Sequence, residues 1–152
     1  MFFYLFCYNI ISYKFIEKGK FILLIDKILK FYDKKYDLNC AETILYAGNE
    51  EYGLNLSENV FKTMAGFGGG MCCEGVCGAL TGGIALISIL FTEERGHKSP
   101  KVKELTQKLY DEFIYRLGSD NCKVLKRDYR TEDERCKKMV LVVGDILDDL
   151  IV

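Results

Sequence analysis

This sequence of 152 residues is poor in proline, tryptophan and histidine. It contains one proline, no tryptophan and a single histidine, His97. Scarce proline disfavours a turn-rich β-sandwich and is typical of helices joined by short loops. Because there is only one histidine, a zinc site built from several histidines is disfavoured, as is a catalytic site that needs two of them.

A marked excess of charge of either sign is also missing. The chain has 21 lysines and arginines against 22 aspartates and glutamates, which gives a formal net charge of −1. No basic field is available to hold a phosphate backbone, so we expect no nucleic-acid partner. Hydrophobic residues make up 49% of the chain and charged residues 28%. This composition is sufficient for one buried core and argues against intrinsic disorder.

Long uncharged stretches are limited to two. Residues 2–13 carry no charge, but they are shorter than the roughly 20 residues of a membrane-spanning helix and lack the basic start of a signal peptide. Residues 75–92 are also uncharged, but their glycines and the lack of a flanking aromatic belt favour a central helix buried among its neighbours. We therefore expect no membrane span.

Apolar residues recur at helical spacing, and strand-like alternation is weak throughout. This pattern predicts an all-α, single-domain helical bundle of about five to six helices, with a glycine- and cysteine-rich loop before its buried central helix. The predicted helices cover about residues 21–32, 40–52, 57–65, 77–92 and 100–117, and a last helix that opens with a capping box of Thr131 and Glu134. Residues 21–152 are assigned to the domain, and residues 1–20 to a poorly ordered or peripheral apolar extension.

Seven cysteines are many for a chain of this size: Cys7, Cys40, Cys72, Cys73, Cys77, Cys122 and Cys136. The helical pattern and the missing signal peptide disfavour a secreted disulfide scaffold. They favour a reduced, cytoplasmic protein that uses cysteine for metal or redox chemistry. Cys40 and Cys77 fall at predicted helix starts, where free amides stabilise a thiolate. Cys122 is placed in a connection, Cys136 in the second turn of the last helix, and Cys7 is interpreted as a buried apolar residue.

Most of these cysteines lie in or near short motifs that follow one another along the chain. Asn39-Cys40-Ala41-Glu42 comes first, then GFGGGM from Gly66, then Cys77-Gly78-Ala79-Leu80-Thr81-Gly82, and finally Cys122 and Cys136. Over residues 25–151 the chain thereby resembles the C_GCAxxG_C_C family, which is described as redox-active by inference from its cysteines. A related domain at the front of split-Soret cytochromes looks like an iron–sulfur module. No haem-attachment C-x-x-C-H is present here.

The resemblance implies that the four family cysteines are Cys40, Cys77, Cys122 and Cys136. The glycine positions singled out with them are Gly68, Gly69, Gly70, Gly75, Gly78 and Gly82. The adjacent pair Cys72 and Cys73 has no expected family counterpart, so these residues are interpreted as extra ligands, resolving thiols or passengers.

Three functions remain open at this point. The first is an electron-transfer or redox-sensing protein whose four cysteines converge on an iron–sulfur cluster or another thiophilic metal such as zinc, since four soft thiolates match the usual ligand count. The second is a thiol–disulfide protein without a cofactor. The third is a helical interaction module with buried thiols. The sequence identifies no redox partner, and the glycine-rich helix would suit a homodimer.

Overall fold

The computed structural model describes residues 23–151, together with the backbone of two short strands that precede them. These strands are β1 (Ile16–Glu17) and β2 (Lys20–Phe21), which pair antiparallel. Apart from these strands, residues 1–20 lie outside the described residues. The extension predicted there and the burial predicted for Cys7 therefore stay predictions.

Seven α-helices form the described part of the domain, so the all-α prediction is confirmed and the predicted number of helices was too small. They are α1 (Leu24–Phe31), α2 (Cys40–Glu51), α3 (Glu58–Lys62), α4 (Gly78–Phe91), α5 (Pro100–Leu117), α6 (Cys122–Tyr129) and α7 (Lys137–Leu150). Within the described part of the chain, every helix is too short or too polar to cross a bilayer.

Helix α4 is the centre of the bundle, as its uncharged sequence predicts. Its side chains Leu80, Leu86 and Ile87 are fully buried. A Cβ atom on Gly82 would lie 2.8 Å from the carbonyl oxygen of Ala41 in α2. One on Gly83 would lie 2.9 Å from side chains of both α5 and α7. The small residues therefore let three helices approach α4 closely, and burial of the surrounding apolar side chains stabilises the arrangement.

Two predictions about the second half of the chain were wrong. Cys122 does not lie in a connection but opens α6, whose start is capped by Asn121. The last helix begins at Lys137, so Cys136 precedes it and does not lie in its second turn. The Thr131 hydroxyl does accept a hydrogen bond from the Glu134 amide at 3.0 Å, but it closes a turn rather than a helix. The backbone then becomes left-handed at Arg135, with a φ of 52°.

The loop between α3 and α4 carries the glycine run. After a 3₁₀ turn at Ala65–Phe67, the backbone is left-handed at four consecutive residues from Gly69 to Cys72, with φ between 58° and 67°. A hydrogen bond of 2.8 Å from the Gly75 amide to the Gly70 carbonyl closes this turn. The two glycines adopt such angles readily, whereas Met71 and Cys72 do so at a conformational cost.

Candidate functional site

Four cysteines lie at helix starts that meet around one cavity. Cys40 and Cys122 are the first residues of α2 and α6, and Cys77 and Cys136 immediately precede α4 and α7. All four line a cavity of about 210 Å³. The unpaired amides at these helix starts give the cavity wall a partial positive charge, which favours thiolates.

Backbone contacts fix the positions of Cys77 and Cys122. The two residues flank an isolated antiparallel bridge between Val76 and Asn121. The Cys77 amide donates to the Asp120 carbonyl at 2.8 Å, and the Cys122 amide donates to the Gly75 carbonyl at 2.6 Å. The starts of α4 and α6 are therefore joined to each other directly.

Two glycines make the close approach of these segments sterically feasible. A Cβ atom on Gly70 would lie 2.5 Å from Cβ of Cys122, and one on Gly78 would lie 2.7 Å from the Phe67 carbonyl oxygen and 3.4 Å from Cβ of Cys40. Real Cβ atoms do not approach backbone so closely, so side chains at either position would separate elements that carry the cysteines.

Among the four cysteines, Cys40 and Cys136 have the strongest effect on each other's pKa. A side-chain hydrogen bond from the Cys40 thiol is the main reason that the pKa of Cys136 falls to about 6. Arg130, Lys126 and Arg135 lower it further, against the opposing effect of burial. The same hydrogen bond, followed by burial, raises the pKa of Cys40 far above that of an ordinary thiol. Cys136 is therefore the thiolate of the pair and Cys40 its proton donor.

The pKa values of Cys77 and Cys122 are shifted in the opposite direction from that of Cys136. Their side chains are only 4% and 6% exposed. Burial raises the pKa of Cys77 to about 11 and also raises the pKa of Cys122. Both residues are consequently thiols at neutral pH and weak nucleophiles compared with Cys136.

Tyr32, the residue that follows α1, holds the backbone of Cys136. The Cys136 amide donates to the Tyr32 hydroxyl oxygen at 2.7 Å, and that hydroxyl donates to the Glu134 carbonyl at 3.1 Å. Arg135 donates to the Tyr32 carbonyl at 3.0 Å, and its guanidinium lies 4.7 Å from the centre of the tyrosine ring. Burial raises the pKa of Tyr32 to about 12, so the hydroxyl stays protonated. Sequence reasoning missed both residues, because Tyr32 was counted only as part of an apolar stripe.

A family model described as "Putative redox-active protein (C_GCAxxG_C_C)" matches residues 38–150. The chain belongs to this family. The matched span includes Cys40, Cys77, Cys122 and Cys136, as well as Cys72 and Cys73. No curated protein and no solved structure matches the chain.

The adjacent pair Cys72 and Cys73 lies outside the cavity of this C_GCAxxG_C_C protein. Both side chains are exposed free thiols. The Cys72 sulfur donates to the Gly66 carbonyl at 3.8 Å and the Cys73 sulfur to the Gly70 carbonyl at 3.5 Å. The left-handed turn thus presents this pair to solvent.

The other glycines singled out from the sequence have different positions relative to the cavity. Gly69 and Gly78 belong to its lining. A Cβ atom on Gly68 would lie 2.7 Å from Cβ of Asn39, the residue that caps α2. Gly82 packs against Ala41 and Ile44 of α2 and is not part of the cavity lining. Only part of the glycine pattern therefore serves the cavity directly, and the rest serves packing.

The C_GCAxxG_C_C cysteines share a cavity without forming a ready-made metal site. Among residues 23–151, no three or more histidine, cysteine, aspartate or glutamate side chains are grouped so that they could hold a metal ion. The thiols are suitable in kind for a thiophilic metal, but their present arrangement does not fit one. Within the cavity, Cys40 and Cys136 instead interact mainly with each other.

Proposed function

We propose that the protein is a thiol–disulfide redox protein in which Cys136 is the attacking thiolate and Cys40 is the resolving thiol. The observation that carries this proposal is that Cys40 and Cys136 line one cavity and that each is the largest cause of the other's pKa shift. A disulfide needs two cysteine side chains that approach each other in this way. Cys136 is also half-buried rather than buried, so a substrate can reach it from the cavity.

The reaction follows from these two roles. The Cys136 thiolate attacks one sulfur of a disulfide substrate and forms a mixed disulfide with it. The other substrate sulfur leaves as a thiolate, which takes the proton of Cys40. The Cys40 thiolate then attacks the Cys136 sulfur, and the second substrate sulfur leaves. Two electrons have passed to the substrate, and a Cys40–Cys136 disulfide remains.

The test is to trap the intermediate that the two roles imply. Metal-free, reduced protein is incubated with 2-hydroxyethyl disulfide, quenched with acid and analysed by peptide mass spectrometry. We expect a Cys40–Cys136 disulfide in the unsubstituted protein and a stable mixed disulfide at Cys136 in Cys40→Ser. We expect neither product in Cys136→Ser.

Cys77→Ser is the matched control, because Cys77 lines the same cavity but has a raised pKa. This variant should form the Cys40–Cys136 disulfide at the unsubstituted rate. A disulfide that joins Cys77 to Cys122 instead, or a mixed disulfide at Cys40 in Cys136→Ser, would contradict the assigned roles.

A second candidate function is the binding of an iron–sulfur cluster or zinc by Cys40, Cys77, Cys122 and Cys136. It is favoured by the position of all four side chains on one cavity. The thiols would have to move toward one another to bind such a group. Anaerobic purification followed by iron, zinc and sulfide analysis separates the two candidates. Stoichiometric metal lost on substitution of any of the four cysteines supports the metal centre, and a colourless, metal-free protein that gains one disulfide supports the dithiol.

A further inference from the structure

The cavity that holds the reactive cysteines is lined by cations. Lys126, Arg130 and Arg135 all contribute to its wall, and no aspartate or glutamate of residues 23–151 does so. The protein as a whole is close to neutral, with a net charge of −1. The three cations in the lining of one cavity are thus a local concentration of positive charge that the overall composition does not reveal.

The three cations differ in how they are held. Lys126 forms an ion pair of 3.2 Å with Glu74. Arg135 is fixed against Tyr32, and its left-handed backbone is uncommon for a large side chain. Arg130 is exposed and forms no ion pair within the described part of the chain. A large residue in a disfavoured backbone conformation often marks a ligand site, and Arg130 is available to pair with an incoming anion.

The size of the cavity limits what can enter it. Its volume of about 210 Å³ is below the roughly 300–1,000 Å³ of pockets that enclose drug-sized ligands. A peptide segment or a large cofactor would remain outside, whereas a molecule of a few heavy atoms would reach the Cys136 sulfur.

We infer that the substrate of the Cys40–Cys136 dithiol is a small anionic disulfide. This inference rests on the proposed function and adds the charge and size of the substrate. Tetrathionate is a suitable probe, because it is a compact dianion with a central sulfur–sulfur bond. The Cys136 thiolate forms a bond to one central sulfur and releases thiosulfate. Cys40 then attacks the Cys136 sulfur and releases a second thiosulfate, so one tetrathionate is reduced by two electrons as the dithiol is oxidised.

The test compares three small disulfides of different charge: tetrathionate, neutral 2-hydroxyethyl disulfide and cationic cystamine. The oxidation rate of the reduced, metal-free protein by each is divided by the rate of the same disulfide with the thiolate of 2-mercaptoethanol, which carries no other charged group. We expect the normalised rate to fall from the anion to the neutral molecule to the cation. Added salt should weaken both the advantage of the anion and the disadvantage of the cation.

Arg130→Gln should reduce the ratio of the tetrathionate rate to the neutral-disulfide rate by roughly 3- to 10-fold. The ratio is the measure because Arg130 also lowers the pKa of Cys136, so its loss changes the attacking thiolate for both substrates alike. Arg130→Lys should retain most of this ratio. Arg127→Gln is the matched control, because Arg127 lies in the same helix but pairs with Asp128 and does not line the cavity.

The outcomes separate this inference from the function on which it rests. Equal normalised rates for all three disulfides, independent of salt, would overturn the charge selection and leave the dithiol function intact. Failure of every disulfide to oxidise the Cys40–Cys136 pair would overturn the proposed function itself. If Arg130→Gln does not fold, the salt dependence of the unsubstituted protein and the Arg130→Lys variant still decide the question.

Discussion

Cys136 and Cys40 are identical residues to which the fold gives opposite acid–base properties. A single hydrogen bond between two thiols can stabilise only one thiolate, and the surroundings select Cys136. It lies at the start of a 14-residue helix and near three cations that lower its pKa. Cys40 is affected instead by burial and by neighbouring thiol groups, both of which raise its pKa. The direction of nucleophilic attack is thereby set by the fold and not by the residue type.

The pH dependence of alkylation should differ sharply between these cysteines. A thiol reacts as its thiolate, so its rate rises with pH through its pKa and then levels off. In the folded, metal-free protein the iodoacetamide rate of Cys136 should rise through about pH 6 and be constant above about pH 7.5. Cys77, with a pKa of about 11, should still gain rate between pH 8 and 10. Pulse labelling followed by peptide mass spectrometry measures both profiles.

Cys40→Ala provides the decisive control for the Cys136 profile. Without the donating thiol, the largest cause of the lowered pKa is gone, and the midpoint for Cys136 should move toward the ordinary value of 9.0. A midpoint that stays near 6 would show that the cations alone stabilise the thiolate.

At the scale of the elements, the site depends on how closely helix starts can meet. Gly78 is the clearest case, since any side chain there would collide with the Phe67 carbonyl and press on Cys40. We expect Gly78→Ala to destabilise the fold by about 1–3 kcal/mol, because overpacking a tight contact forces the backbone to move. Urea unfolding monitored by circular dichroism measures this change.

The control for Gly78→Ala is Gly96→Ala. A Cβ atom on Gly96 would meet nothing within 4 Å, so this variant should unfold within about 0.5 kcal/mol of the unsubstituted protein. If the two variants are equally stable, the close approach of α4 to the glycine loop is not needed for the fold.

The sequence predicted the long helices well and the short ones poorly. Asn39 and Glu42 form the reciprocal cap that begins α2. Gly118, with a φ of 78°, ends α5 where predicted. In contrast, α6 has only eight residues, so the helically spaced apolar positions Cys122, Leu125 and Tyr129 are too few to identify a helix from their spacing alone. The left-handed Arg135 also has no local signal, and for this reason the predicted start of α7 is five residues too early.

The candidate site was predictable as a set of residues but not as a set of contacts. The motifs identified the four cysteines, and the structure places all four on one cavity. Their pairing depends on α2 and α7, which are far apart in the chain, and sequence spacing contains no information about that distance. The contributions of Tyr32 and Arg135 are tertiary for the same reason. No local pattern marks a tyrosine hydroxyl that accepts the amide of a cysteine about 100 residues away.

At the scale of the whole molecule, the Cys40–Cys136 pair links the early and late parts of the bundle. Helices α2 and α7 both pack on α1 and on α4, so a bond between their starts would constrain most of the domain. The proposed redox change is therefore also a change in the connectivity of the fold. Its effect on stability can be measured without any substrate.

Oxidation should stabilise the protein. A Cys40–Cys136 disulfide closes a loop of about 100 residues, and constraining a loop of that length in the unfolded chain contributes about 2–4 kcal/mol in typical proteins. Because both side chains already line one cavity in the reduced fold, we expect little strain to offset this gain. We expect the melting temperature of the oxidised form to exceed that of the reduced form by roughly 5–15 °C. In Cys40→Ser, where no such bond can form, the same oxidant should produce no shift. An oxidised form less stable than the reduced form would mean that disulfide formation distorts the helix starts, so that the bond is strained and the reduced state is favoured.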